Sequence, residues 1–221
     1  MEDRLTPELY LETTDLPIER YAAERVPAVL SLPAVERATW WRNLRRDRRD
    51  LPRSSLPDFD HLGVFELREG FRAPATPPGV TGYHFRRYPR PAQGILTGRP
   101  TIGLLLVLVS PDDPARAQAL RDWADFVHIR RIAEASVPGY GMITPYENVT
   151  GGNPRFLHLY EMDSDDPEGA FRSMTPLVMR RIGDRDSEGF NGWASGPGLK
   201  IEYVNTFRRI GVTASASAHG Q

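Results

Sequence analysis

Two hydrophobic periods alternate along this chain. Gly103 to Val109 (GLLLVLV) is apolar at every position, the pattern of a strand covered on both faces. Phe156 to Met162 alternates instead, with Phe156, His158, Tyr160 and Met162 on one face and Leu157, Leu159 and Glu161 on the other. Runs rich in β-branched and aromatic residues predict further strands over Val35 to Trp41, His61 to Leu67, Gly82 to Tyr88, Gly141 to Glu147 and Leu199 to Phe207. A short apolar stretch lies at about Leu9 to Thr13, before the first helix start.

The helical period appears three times. Asp15-Leu16-Pro17 starts a helix expected to reach Ser31, kinked or shortened by Pro27. A second is predicted from Pro114 to about Ser136, with Leu120, Trp123 and Val127 in one apolar row, Phe126, Ile129 and Ala133 in the next, and Pro138-Gly139 as its stop. A third, Pro167 to Arg181, carries Ala170, Met174, Leu177 and Val178 on one face. Between these lie a long polar loop (Arg42 to Asp58), a connector FRAPATPPGVTG, a linker PRPAQGILTGRP, a glycine-rich loop (Gly183 to Gly198) and a tail VTASASAHGQ without apolar pattern.

From Gly103 the order is β-α-β-β-α-β, the ferredoxin-like arrangement. The first half repeats parts of the second: Pro33 lies over Pro138, Asn43 over Asn148, Glu66 over Glu161, and HFRRY over TFRRI. This predicts an α+β protein of two tandem ferredoxin-like units whose antiparallel sheets form a barrel with the helices outside. Residues 1–98 would be a degenerate unit without the second helix, 99–211 a complete unit, and 212–221 a disordered tail. The helix-to-strand segment with Trp123, Phe126, His128, Pro138 and Gly139 resembles the EthD-like branch of the dimeric α/β-barrel superfamily. That resemblance implies sheets paired by fusion or by a homodimer, and a cavity between sheet and helices. It spans cofactor-free monooxygenases, cyclases and isomerases, haem enzymes, and proteins of unassigned role, so it does not select a function.

Composition narrows the chemistry. The 28 basic and 29 acidic residues leave a net charge of −1, which offers no global field for nucleic acid, and the arginines of Arg42 to Arg53 alternate with aspartate and leucine, as on a solvated loop. No cysteine is present, which removes thiolate chemistry and Cys-based metal sites, and Lys200 is the single lysine. The N-terminal sequence MEDRLTPELY lacks the basic-then-apolar order of a secretion signal and no apolar run is long enough for a membrane span, so a cytoplasmic protein without membrane contact is expected.

His128 borders the apolar face of the second helix, where partial burial would suit it to proton transfer; the bland reading is a histidine bonded to a carbonyl. If the face carrying His158 and Tyr160 meets the helices, these residues join His128, with Tyr146 and Asn148 on the neighbouring strand; if not, they are packing residues. His128, Tyr146, His158 and Tyr160 are the catalytic candidates, and Trp123, Asn148 and Trp193 the substrate-binding ones, with Trp193 either a lid over a pocket or an anchor for its loop. The histidines lack metal-ligand spacing, and Gly183-Asp184-Arg185-Asp186-Ser187 departs from the GxxDG motif of dye-decolourising peroxidases at its last position. The reading is therefore a cofactor-independent enzyme acting on a small apolar metabolite. A non-catalytic small-molecule-binding or structural protein is the alternative, and a haem protein the third.

Overall fold

The computed structural model describes residues 6–46, 48–51 and 55–211, so the predicted tail disorder lies outside the described residues. Nine strands form one sheet: β1 (Glu8–Thr14), β2 (Val35–Asn43), β3 (His61–Leu67), β4 (Val80–Arg87), β5 (Gln93–Gly94), β6 (Gly103–Pro111), β7 (Tyr140–Asn148), β8 (Phe156–Met162) and β9 (Leu199–Ile210). Their order is β4-β1-β3-β2-β9-β6-β8-β7-β5, every described pairing is antiparallel, and β4 also pairs with β7. The eight long strands therefore close into a ring. Each half has the order fourth-first-third-second, and the registers correspond: Leu9 faces Glu66 as Leu104 faces Glu161.

Leu9 to Thr13, a short apolar stretch given no element from the sequence, lies within a strand, and β1 is buried at every position. Its two glutamates are matched by residues distant in the chain. Glu8 meets His84 and Arg86, while Glu12 accepts from Arg25 and Tyr21 beneath the helices α1 (Ile18–Glu24) and α2 (Val26–Leu30). The break between these helices answers the expected effect of Pro27, which stands in the first turn of α2, where a missing N–H costs nothing.

The inside of the ring is apolar at its waist, where Leu9, Leu11, Leu62, Phe85, Leu106, Leu157 and Phe207 meet. One end is plugged by the long loop after β2. Phe59 stacks on Tyr203 (centroids 4.7 Å apart) and Phe207 (5.6 Å), and Leu56 packs beside them. The loop is solvated in part: Arg42, Arg46, Arg49 and Asp50 are exposed, whereas the Arg48 side chain is 4% exposed, bound to Glu168 and laid over the Phe171 ring.

Outside the second half lie α3 (Ala117–Trp123), preceded by a 3-10 turn at Pro114–Arg116, a π-helical segment (Ala124–Ile129), α4 (Arg130–Glu134), α5 (Pro167–Ile182) and α6 (Glu188–Ala194). The π turn, which widens the coil by one residue, shifts the buried stripe from the predicted rows. Phe126 (56%) and Val127 (37%) are exposed, and Asp125 is buried with Ala124 and Ile129 instead. α6 occupies part of the predicted glycine-rich loop, capped by Ser187, whose hydroxyl accepts from the Phe190 N–H. Among the described residues no helix is long and apolar enough to cross a membrane.

Candidate functional site

The sheet separates the predicted site residues into two groups. His158 and Tyr160 face the helices, with His128, Trp123 and Trp193, whereas Tyr146 sits inside the ring. Asn148 belongs to neither site. Its side-chain oxygen accepts from the Thr150 N–H and its amide donates to the Pro154 carbonyl, which spends it on the β7–β8 turn. Asn43 does the same for the loop after β2, accepting from Arg45 and donating to Phe59.

On the helix side His128 is fixed. Its Nδ1 lies 2.9 Å from the Trp193 carbonyl oxygen, so Nδ1 must carry the proton, and the Trp193 indole returns a hydrogen bond to the His128 carbonyl at 3.1 Å. The imidazole stacks on Trp193 at 4.9 Å with the rings 6° from parallel, and Trp123 closes the other side at 5.0 Å. Burial pushes the imidazole pKa down, keeping it neutral, with the Trp193 bond opposing that shift weakly. Trp193 is the anchor of its segment and no lid: it is 4% exposed and holds α6 to the π turn.

His158 is pushed down to about 3 by burial first, then by His128 and Arg121. Its Nε2 stands 3.9 Å from Asp125 Oδ1, an oxygen buried without a hydrogen-bond partner. The other Asp125 oxygen pairs with Arg90 at 3.0 Å, and burial raises this carboxyl against the lowering effect of Arg90 and Arg121. Tyr160 is packed edge-on against Tyr140, its phenol raised well above the usual value by burial.

Two prominent cavities open onto the sheet, and no histidine lines either of them. One is a shallow groove along the β2–β9 junction. The other, about 680 Å³, enters the ring at the end opposite Phe59. Part of its lining comes in pairs, one from each half: Thr6 and Thr101, Leu9 and Leu104, Thr39 and Thr144, Trp41 and Tyr146, Val64 and Leu159, Glu66 and Glu161. The hydrogen bonds repeat as well, Thr6 to Glu66 at 2.9 Å and Thr101 to Glu161 at 3.1 Å. Residues Ile95 to Thr101 strap the mouth, with Ile95 and Leu96 about 60% exposed.

No family model and no curated protein matches this sequence. Solved structures do match in shape. A chlorite dismutase variant from Candidatus Nitrospira defluvii superposes with a TM-score of 0.51 at 12% identity, each chain covered to 96%. At these identities the likeness is one of fold alone, and it agrees with the resemblance to the dimeric α/β-barrel superfamily read from the sequence. An anthrone oxidase-like protein follows at 0.50 and 15% identity, with 97% of this chain and 95% of that one covered. A major regulator of staphylococcal pathogenesis matches at 0.50 and 9%, with coverages of 92% and 99%. Proteins described so differently share this shape, so the shape assigns no activity.

A haem does not fit either cavity. Among the described residues no histidine lines them and His128 is clamped between two indoles, so neither space is offered an imidazole to hold a macrocycle. Among the described residues no three metal-ligating side chains converge. Sequence reasoning missed the ring cavity because period 2 assigns faces without saying which face is inside. The repeated Glu66 and Glu161 were the available signal.

Proposed function

We propose that the protein binds a small, largely apolar molecule in the ring cavity, and that its chain is two fused ferredoxin-like units closing one barrel. The carrying observation is the cavity itself. Its walls are Leu9, Val64, Leu104 and Leu159, its rim is polar, and the far end is stoppered by Phe59. The fusion reading rests on the repeated strand order and the paired lining residues. Since the ring closes within one chain, a second copy is not needed to complete the site.

The neutral fluorescent probe N-phenyl-1-naphthylamine tests this. Binding to the wild type is expected, with loss in Leu159→Trp, which fills the cavity, and retention in His128→Ala, whose side chain lies across the sheet. Absence of binding, or binding that Leu159→Trp leaves intact, overturns the reading.

A second reading is favoured by one observation, the unpartnered Asp125 oxygen facing His158 in a π turn, since such turns often mark functional sites. It keeps the enzyme, with Asp125 and His158 exchanging a proton on the helix side beside Tyr160. Turnover of a substrate that survives Leu159→Trp and is abolished by His158→Gln would favour it over the ring cavity.

A further inference from the structure

The two halves of the cavity rim differ at one charged position. In the first half Glu66 is neutralised: Arg37 binds it at 2.5 Å and the Thr6 hydroxyl donates to its other oxygen. In the second half Thr101 donates to Glu161 in the same way, but Met142 lines the rim where the register of the first half places Arg37. Among the described residues Glu161 has no ion-pair partner. The other rim cations are engaged: Arg99 lies 4.0 Å from Asp163, and Arg209, exposed to water, turns its guanidinium to the Thr101 carbonyl at 3.4 Å. Burial, and then the charge of Glu66, push the Glu161 carboxyl upward against the opposing Thr101 bond and Arg37, as expected of a carboxylate short of a cation.

We propose that the ring cavity takes a cationic amphiphile, an amine whose ammonium group pairs with Glu161 while its apolar body lies along Leu104, Leu159 and Met142. This rests on the ring cavity being the binding site. The ammonium supplies in the second half what Arg37 supplies in the first. A carboxylate ligand is disfavoured by the same group, and a neutral alcohol gains the apolar contacts without the ion pair.

The test is displacement of N-phenyl-1-naphthylamine by 1-octylamine, 1-octanol and octanoate at neutral pH, with circular dichroism to confirm that each protein stays folded. The wild type should bind octylamine about ten-fold or more tighter than octanol, the advantage of a charge-assisted hydrogen bond. Glu161→Gln should bring the two within about two-fold while octanol is unchanged, and Met142→Arg, which installs the missing guanidinium, should do the same. Octanol binding without preference for the amine, or a preference that survives Glu161→Gln, overturns the cation proposal and leaves the cavity reading standing. Failure of the probe and of all three ligands overturns both.

Discussion

His158 should make this protein sensitive to mild acid. Its imidazole is 6% exposed and is held to about 3 from an ordinary 6.5, so the folded state refuses a proton that the unfolded chain accepts. For a group whose folded pKa is depressed, the stability contribution is complete above the unfolded value and drains away as pH falls toward the folded one. The window therefore runs from 6.5 down to about 3. Within it the slope is about 1.4 kcal/mol per pH unit, so roughly 2 kcal/mol disappears between pH 6.5 and about pH 5 from this residue alone. Asp125 stands 3.9 Å away, beyond hydrogen-bond reach, with its carboxyl raised by burial and its other oxygen paired with Arg90, which weakens it as a counter-charge. Urea unfolding of wild type and His158→Gln across this range isolates the effect, since the remaining titrating groups are common to both. The variant's stability should fall more shallowly by about the stated amount. Parallel curves for the two proteins would refute the reasoning.

Two further outcomes follow from the first half of the ring. A Cβ at Gly82 would stand 2.2 Å from the Tyr10 hydroxyl, so Gly82→Ala should cost about 1–3 kcal/mol. Tyr10→Phe should recover part of that loss in the double variant, measured by thermal unfolding, because the colliding atom is gone. Arg25→Ala leaves Glu12, wholly buried, without its cation; a loss of about 3–5 kcal/mol in chemical denaturation is expected, and restoration by Arg25→Ala/Glu12→Gln checks that the orphaned charge is the cause.

Much of the strand pattern was readable because periodicity reports burial. His61 to Leu67 and Phe156 to Met162 lie where their alternation and apolar content place them. β1 was not, since the ELYLETT sequence interleaves glutamates whose partners, His84, Arg86 and Arg25, come from elements folded onto it later in the chain. The π turn was equally hidden: one added residue in a coil leaves no compositional mark, yet it buried Asp125 and exposed Phe126. His128 stands at the helix–sheet face that its spacing suggested, but no period could show that two tryptophans, one of them in a stretch read as loop, would clamp it. The repeat pointed to places where the halves differ. The difference that matters for the ring cavity is Arg37 against Met142, a pair whose meaning depends on both side chains reaching one interior.

The ring is stitched unevenly. Within each half the strands pair along most of their length, whereas the long strands of the two halves are joined by short ladders, Trp40–Asn43 on Phe207–Ile210 and Phe85–Arg87 on Tyr146–Asn148, beside the two-residue β5 on β7. Those two short seams run beside the cavity, and residues of both line it or flank it. Local opening costs least where the fewest backbone bonds must break. The walls of this container therefore double as its door, and amide protons of the seams should exchange ahead of those in the β6–β8 and β1–β3 ladders.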